Sequence, residues 1–190
     1  FRDRILEEIS QSDHILDLGM AMRDKYKKIE SKNLETLDVN DFGDYPDIIC
    51  DICSDISGLE SKYDKIICIA VLEHVYDPTS AIANLNKMLK SGGILYGYVP
   101  YLFQYHAPHD LKYQDYFRFS KDALAYLFKD FSYVELFPVR GRISAPLSIL
   151  FGEKWKKYIE KTKINILLDK LSSNKIHFKQ CSGFNFIVKK

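Results

Sequence analysis

The stretch Tyr63-Asp64-Lys65-Ile66-Ile67-Cys68-Ile69-Ala70-Val71 limits what this chain can fold into more than any other. It is near-continuously apolar, the pattern of a strand covered on both faces rather than one with a wet side. Such a strand belongs in a parallel sheet, whose crossover connections lay helices over it. The rest of the chain supplies those parts. Asp3, Ile5, Leu6 and Ile9 outline a short helix over residues 3–9, and Ile15-Leu16 begin a strand that ends in Asp17 and Gly19. The lysine-rich stretch from Asp24 to Ser31 has helical composition, Leu34 to Val39 is a second strand, and Asp47 to Ile52 is a short third.

Beyond Val71 the signals are sharper. Asp77-Pro78 opens a helix with an acidic cap and proline in its first turn. Ala81, Ile82, Leu85, Met88 and Leu89 follow at helical spacing, and Ser91-Gly92-Gly93 is expected to end it. Ile94 to Pro100 is the next strand. The order strand, helix, strand, strand, strand, helix, strand implies a mostly parallel α/β sheet with right-handed crossovers. A long loop from Tyr101 to Phe119 comes next, long enough to suggest function. Ser120 then caps a helix bearing Ala123, Leu124, Leu127 and Phe128, and Tyr133 to Val139 and Phe184 to Val188 are the last two strands. Between them Ser144 to Leu171 is helical and basic, with Trp155, Tyr158, Ile159, Ile166 and Leu167 forming an apolar side expected to pack on the sheet or cover the site, the alternative being a partner or membrane-surface face.

Composition narrows the partners. With 46% hydrophobic and 28% charged residues in 190, the chain is one globular domain, 1–190, with a helical insertion at about 144–171. A net charge of +1 provides no field for neutralising phosphates, so nucleic acid is not expected as a partner. No apolar run approaches the roughly 18 residues of a membrane span. No charged-then-apolar leader argues for export, and because the chain opens on Phe1 rather than methionine it is expected to start inside a longer gene product. Cys50, Cys53, Cys68 and Cys181 suit a reducing, cytoplasmic setting. Cys50-x-x-Cys53 has no second pair to complete a zinc site.

The chemistry begins at His14-Ile-Leu-Asp-Leu-Gly-Met-Ala-Met-Arg23. A strand that ends in an acid and a glycine before a helix builds a ligand crevice at the strand's carboxyl end. Gly19 suits a tight turn that demands positive φ and close backbone approach. Only this one glycine of G-x-G-x-x-G is present, because Ala21 and Asp24 hold the other two places. A dinucleotide pyrophosphate then has little room over the helix N-terminus, which disfavours a nicotinamide enzyme. Asp38 lies 38 − 19 = 19 positions beyond Gly19, near the spacing of about 20 at which a carboxylate reaches a ribose hydroxyl pair.

Taken together, the residues from Ile15 to Val139 resemble the class I S-adenosylmethionine-dependent methyltransferases. The most specific part is Tyr63 to Pro78 with Leu89-Lys90-Ser91-Gly92-Gly93-Ile94-Leu95 and Val99-Pro100. The resemblance implies a Rossmann-like three-layer α/β sandwich, its seven-stranded sheet mostly parallel with an antiparallel last strand. The segment Pro108-His109-Asp110-Leu111-Lys112-Tyr113-Gln114-Asp115-Tyr116-Phe117-Arg118-Phe119-Ser120 is similar to a bacterial branch associated with surface polysaccharides. Carried over by position, Asp17, Gly19 and Ala21 would line the methionine end of S-adenosylmethionine, and Asp38, beside Val39, would hold the ribose. Asp51 and Ile52 would meet the adenine, while Ala70 and Leu72 would flank the sulfonium. The chain departs from the family at Ala21 and Arg23, where small or glycine residues are usual.

A sulfonium methyl is already activated, so the protein mainly has to align an acceptor, and a neutral histidine suits the work of a base near pH 7. His74, His106 and His109 are the candidates, each alternatively a packed or loop-pinning residue. Tyr113, Tyr116 and Arg118 would grip a small-molecule or saccharide acceptor, or pin the loop. His106-x-x-His109-Asp110 is a thin ligand set, and no metal is expected. The expectation is methyl transfer to a hydroxyl or amine, by a chain with room to form a homodimer. The competing reading is a non-catalytic scaffold with a degenerate glycine turn.

Overall fold

The computed structural model describes residues 1–29, 33–107, 110–141, 143–150, 169 and 179–190. Seven strands form one sheet: β1 (His14–Leu18), β2 (Asn33–Asp38), β3 (Ile48–Ile49), β4 (Tyr63–Ile69), β5 (Leu89–Pro100), β6 (Tyr133–Val139) and β7 (Gly183–Lys189). Their order across the sheet is β3-β2-β1-β4-β5-β7-β6. The first five strands pair in parallel, and β7 inserts antiparallel between β5 and β6. The expected Rossmann-like α/β architecture, with its antiparallel last strand, is the one observed. Chain order reverses direction between β1 and β4. At such a switch point the connections leave to opposite sides and open a crevice beyond the carboxyl ends of the strands.

The apolar run in β4 explains the layers. Ile66 and Cys68 join Leu16 and Leu18 of β1 on one face, under α2 (Pro78–Met88) and α3 (Lys121–Leu127). Ile67 joins Ile15 on the other face, under Ile5 and Ile9 from α1 (Arg2–Glu8) and its end. Alternate side chains therefore enter two separate cores, and all five of Ile15, Leu16, Ile66, Ile67 and Cys68 are fully buried. Two helix starts are fixed as their sequences suggest. Asp77 accepts from the backbone N–H groups of Thr79 and Ser80, each at 3.1 Å, and Ser120 accepts from Ala123 N–H at 3.2 Å.

Three elements differ from expectation. The lysine-rich segment after β1 forms only a 3₁₀ helix, Arg23–Lys28, because none of its residues is buried and no apolar stripe draws it onto the sheet. The α2 helix ends at Met88, before the glycines, and Leu89 already has extended geometry. Ser91-Gly92-Gly93 instead sits where β5 starts. There the register against β4 shifts between Tyr63 and Lys65, and Gly92 takes a left-handed φ of +77°. The third strand shrinks to two residues, since the Asp51 carboxylate accepts from Cys53 N–H and turns the chain away.

Of the basic segment expected from Ser144 to Leu171, α4 (Ser144–Leu150) is observed. Its first turn is held by Asp169, whose carboxylate accepts from Gly141 N–H at 2.8 Å and from Ile143 and Ser144 N–H at 3.2 Å. Trp155, Tyr158, Ile159, Ile166 and Leu167 lie outside the described residues. Among the described residues no helix is long and apolar enough to cross a membrane.

Candidate functional site

A cavity of about 150 Å³ opens at the carboxyl ends of β1, β2 and β4. One wall is made of strand tips. Gly19 ends β1 in a left-handed conformation with φ +66°, its N–H donating to Leu37 C=O at 2.9 Å. A Cβ there would lie 2.9 Å from Val71 Cγ2, so both backbone and space call for glycine. Asp38 ends β2, and its Oδ1 accepts from Asn40 N–H at 2.8 Å and Asn40 Nδ2 at 3.1 Å. That leaves its Oδ2 without a hydrogen bond among the described residues. Asp51 follows β3, its Oδ1 taken by Cys53 N–H at 2.9 Å. Val39, Cys50, Ile52 and Tyr76 complete this side.

Ala70 ends β4 with a φ of +56°, a conformation that costs a residue bearing a Cβ on the order of 1–2 kcal/mol. It is held there by its N–H donating to Tyr98 C=O at 2.9 Å. The strand's alternation stops at this kink, and the chain enters a 3₁₀ turn, Leu72–His74. Val71 and His74 consequently face the crevice, whereas Leu72 drops into the core at 1% exposure.

The opposite wall is a loop that folds back. Residues 110–119 return over the Leu72–His74 turn, where Glu73 C=O accepts from Tyr116 N–H at 2.8 Å and Phe117 N–H at 3.1 Å. Lys112 N–H donates to Asn40 Oδ1 at 3.0 Å, tying the loop to the tip of β2. Lys112, Tyr113 and Tyr116 thereby line the cavity. Inside the loop Arg118 grips both oxygens of Asp115 and donates to the carbonyls of Phe103, Gln104 and Phe117. The Arg118 hydrogen bonds hold the fully buried Asp115 carboxyl down at about 2.

Under this loop lies a polar knot. His74 Nε2 and His106 Nε2 are 3.2 Å apart, and both approach Glu73 Oε1, at 3.9 and 3.6 Å. Glu73 has no exposed surface, and neither of its carboxylate oxygens has a hydrogen-bond partner. Burial pushes this carboxyl up to about 8, and burial likewise lowers His74. The far nitrogens are anchored. His74 Nδ1 lies 2.8 Å from Gln114 C=O, and His106 Nδ1 lies 3.1 Å from Asp115 Oδ2. The Tyr113 ring packs against His74 at 4.7 Å between centroids, the two planes tilted by 47°.

The crevice gathers Gly19, Asp38, Val39, Asp51, Ile52, Ala70, His74, Tyr113 and Tyr116. Other expected site residues are placed elsewhere. Asp17 is buried inside the turn it was expected to open, with Oδ2 accepting from Met22 N–H at 2.9 Å and from Tyr26 OH at 2.8 Å. Ala21 rides on that turn and Leu72 is core, so neither is among the lining residues. Arg118 is spent on the loop. His106 meets His74 from behind rather than lining the crevice, and His109 falls outside the described residues. Glu73 and Asp115 escaped notice in the sequence. The one available signal was a charged residue, Glu73, at the end of the most apolar run in the chain. Arg23 stands clear of the crevice, its guanidinium 4.8 Å from the centre of the Tyr45 ring.

Comparison with known proteins identifies the family and the fold. The sequence matches the family model of a methyltransferase domain over residues 2–137. No curated protein matches it. Among solved structures it is similar to a SAM-dependent methyltransferase from Archaeoglobus fulgidus, with 16% identity, a TM-score of 0.62, and 100% of this chain and 91% of that one covered. It is also similar to Haemonchus contortus phosphoethanolamine N-methyltransferase 2 in complex with S-adenosyl-L-methionine. There identity is 13%, the TM-score is 0.59, and 98% of this chain spans 50% of that one. Burkholderia thailandensis 1,6-didemethyltoxoflavin-N1-methyltransferase, with bound 1,6-didemethyltoxoflavin and S-adenosylhomocysteine, shares 12% identity over 94% of this chain and 71% of that one, with a TM-score of 0.52. Identities this low speak for a common fold.

Proposed function

This chain belongs to the methyltransferase-domain family, and on that premise we propose that it moves a methyl group from S-adenosylmethionine to a hydroxyl or amine of a small-molecule or saccharide acceptor. The observation that carries the reading is one crevice shared by Asp38, Asp51 and Gly19 on its strand-tip wall and by His74, Tyr113 and Tyr116 on its loop wall. The residues fit the donor. Asp38 has an uncommitted oxygen for a ribose hydroxyl pair, Asp51 is an acceptor for an adenine amino group, and Gly19 lets the ligand approach bare backbone. Bound there, S-adenosylmethionine would supply an activated methyl on a positively charged sulfur.

The chain's own task is then alignment, which can contribute up to about 7–11 kcal/mol, and removal of a proton from the acceptor. His74 is the lining residue suited to that second task. Its Nδ1 proton is held by Gln114 C=O, burial favours its neutral form, and Nε2 is left as the basic atom. Tyr113 and Tyr116 offer flat faces and hydroxyls to the acceptor. The resemblance of residues 108–120 to a polysaccharide-associated branch supports a saccharide. The free cysteines support a reducing, cytoplasmic setting. The scaffold alternative rested on Ala21 and Arg23, and neither lines the crevice.

A melting experiment tests the donor. S-adenosylmethionine and S-adenosylhomocysteine should each raise the melting temperature, and Asp38→Ala should abolish the rise. No shift at millimolar concentration of either would overturn the assignment.

A further inference from the structure

We propose that Glu73, His74 and His106 form a binding site for a divalent transition-metal ion, zinc by its ligand chemistry, set into the wall of the crevice. The three side chains can each aim one ligand atom at a common point, all such atoms lying within 4.8 Å of one another. Two independent features of the geometry call for a cation there.

The first is the pair of histidines. Gln114 C=O is an acceptor only, so His74 Nδ1, at 2.8 Å from it, carries the proton of the neutral ring. His106 Nδ1 faces Asp115 Oδ2 at 3.1 Å and Gln104 C=O at 3.3 Å, again acceptors only. Both Nε2 atoms therefore present lone pairs, and they present them to each other across 3.2 Å. Lone pairs held in this way repel unless something positive lies between them. Two nitrogens bound to one tetrahedral zinc at about 2.0–2.1 Å would be separated by about 3.3–3.4 Å, close to the spacing already present.

The second is Glu73. A carboxylate with no exposed surface and no hydrogen bond to either oxygen is rare in a folded protein and calls for a partner. The polar atoms it faces are the two histidine nitrogens, at 3.6 and 3.9 Å, which a movement of a few tenths of an ångström turns into the remaining edges of the tetrahedron. Two imidazoles and one carboxylate is a ligand set that suits zinc and its neighbours, not calcium or magnesium. The outer layer is in place as well. Asp115 orients His106 and is itself gripped by Arg118, while Gln114 C=O orients His74. Such partners fix the tautomer and raise the basicity of a metal-bound histidine.

Three protein ligands leave a fourth position open, as in catalytic rather than structural zinc sites. His74 lines the crevice, so that position is available to an oxygen donor on the methyl acceptor, a hydroxyl or carboxylate. With an ion bound, His74 Nε2 is a ligand, and a bound hydroxyl would lose its proton through the ion's charge rather than to that nitrogen. This last step rests on the methyl-transfer reading. The ion site does not.

The test uses tag-free protein stripped with a chelator and titrated with Zn²⁺, and separately with Co²⁺ as a coloured stand-in. One ion should bind per chain. Cobalt should show the visible bands of a four-coordinate ion without the near-ultraviolet charge-transfer band of a thiolate ligand. His106→Asn and Glu73→Gln should each weaken binding by about 100-fold or more, and circular dichroism should show both variants folded. His106 is on the loop side, so its variant decides the matter if the buried Glu73→Gln does not fold. The proposal fails if the protein binds no stoichiometric ion, if binding survives His106→Asn, or if a thiolate band appears and places the ion on Cys50 and Cys53. Metal binding is read without methyl transfer, so this result and the S-adenosylmethionine melting shift can fail separately.

Discussion

The two walls of the crevice are built by different means. Gly19, Asp38 and Asp51 sit at the ends of neighbouring parallel strands, and the sheet's register sets their spacing. His74, Tyr113 and Tyr116 sit on a 3₁₀ turn and a returning loop, positioned by an ion pair, a few backbone hydrogen bonds and aromatic contacts. The first wall is as rigid as the core beneath it. The second is as rigid as Asp115 and Arg118 make it. On the proposed reading this division would place the methyl donor on the sheet frame and leave the acceptor to a loop that can change without disturbing the sheet.

Breaking the second wall alone is the strongest test of that division. The Asp115 side chain has no exposed surface and its bidentate partner is Arg118, so Arg118→Ala leaves its carboxylate with His106 as its remaining partner. Breaking a fully buried pair costs about 3–5 kcal/mol. Because Arg118 is partly exposed and His106 N–H still donates to Asp115, the loss should lie below that range and show as a lower urea midpoint. The double variant Arg118→Ala/Asp115→Ala should recover part of the loss. The rise in melting temperature with S-adenosylmethionine should persist in Arg118→Ala, because the strand-tip wall is untouched. Loss of that rise would mean that the walls are not independent.

The strand-tip wall has its own internal strain. Burial pushes Asp17 up to about 6, only partly offset by Met22 N–H and Tyr26 OH, and one of its oxygens has no partner. A carboxyl whose folded-state value is raised favours the folded state in its protonated form. Its contribution is fully present below about pH 4 and is lost as pH rises through about 6. At about 1.4 kcal/mol per pH unit the loss is about 3 kcal/mol. Asp17→Asn keeps the acceptor for both hydrogen bonds and removes the charge. It should flatten stability between pH 4 and 6 and raise it at pH 7. An unchanged pH profile in the variant would show that Asp17 is not the group responsible.

How far each wall could be read from the sequence follows from the same physics. Strand tips are announced by apolar runs that end in an acid or glycine, so Gly19, Asp38 and Asp51 were legible as strand tips of a mostly parallel sheet, whereas the strand order that sets them side by side came from the structure. Asp17 was misplaced because sequence pattern shows that an acid ends a strand but not which way its side chain turns. Leu72 was misplaced because the positive φ of Ala70 breaks the alternation just where alternation was being used. The loop wall depends on contacts between residues far apart in the chain, such as His74 with His106 and Lys112 with Asn40, and no periodicity encodes those. The lysine-rich segment after β1 was expected as an α-helix on composition, which carries no information about whether an apolar face exists to hold it.

A milder change sharpens the strand-tip wall at its closest point. In Gly19→Ala the new Cβ meets Val71 Cγ2 at 2.9 Å in a left-handed conformation. The conformation alone costs about 1–2 kcal/mol, which thermal melting should show. Val71 also lines the crevice, so a Val71 displaced by the methyl narrows the donor's space. S-adenosylhomocysteine affinity should fall by more than the stability loss accounts for, whereas Zn²⁺ affinity should be unchanged.

The smallest effect belongs to the residue that belongs to neither wall. Arg23 departs from the family pattern, and a bulky cation beside a sulfonium would weaken donor binding. The structure instead shows an exposed side chain whose guanidinium rests over the Tyr45 ring at 4.8 Å, away from the lining residues. An exposed cation–π contact contributes about 0.5–1 kcal/mol, so Arg23→Ala should lower stability by no more than that. Because the charge is held away from the crevice and solvent screens it, S-adenosylmethionine affinity should stay within about twofold. A tenfold gain in affinity on removing Arg23 would show that its charge reaches the donor site after all, and that the strand-tip wall extends into the turn beyond Gly19.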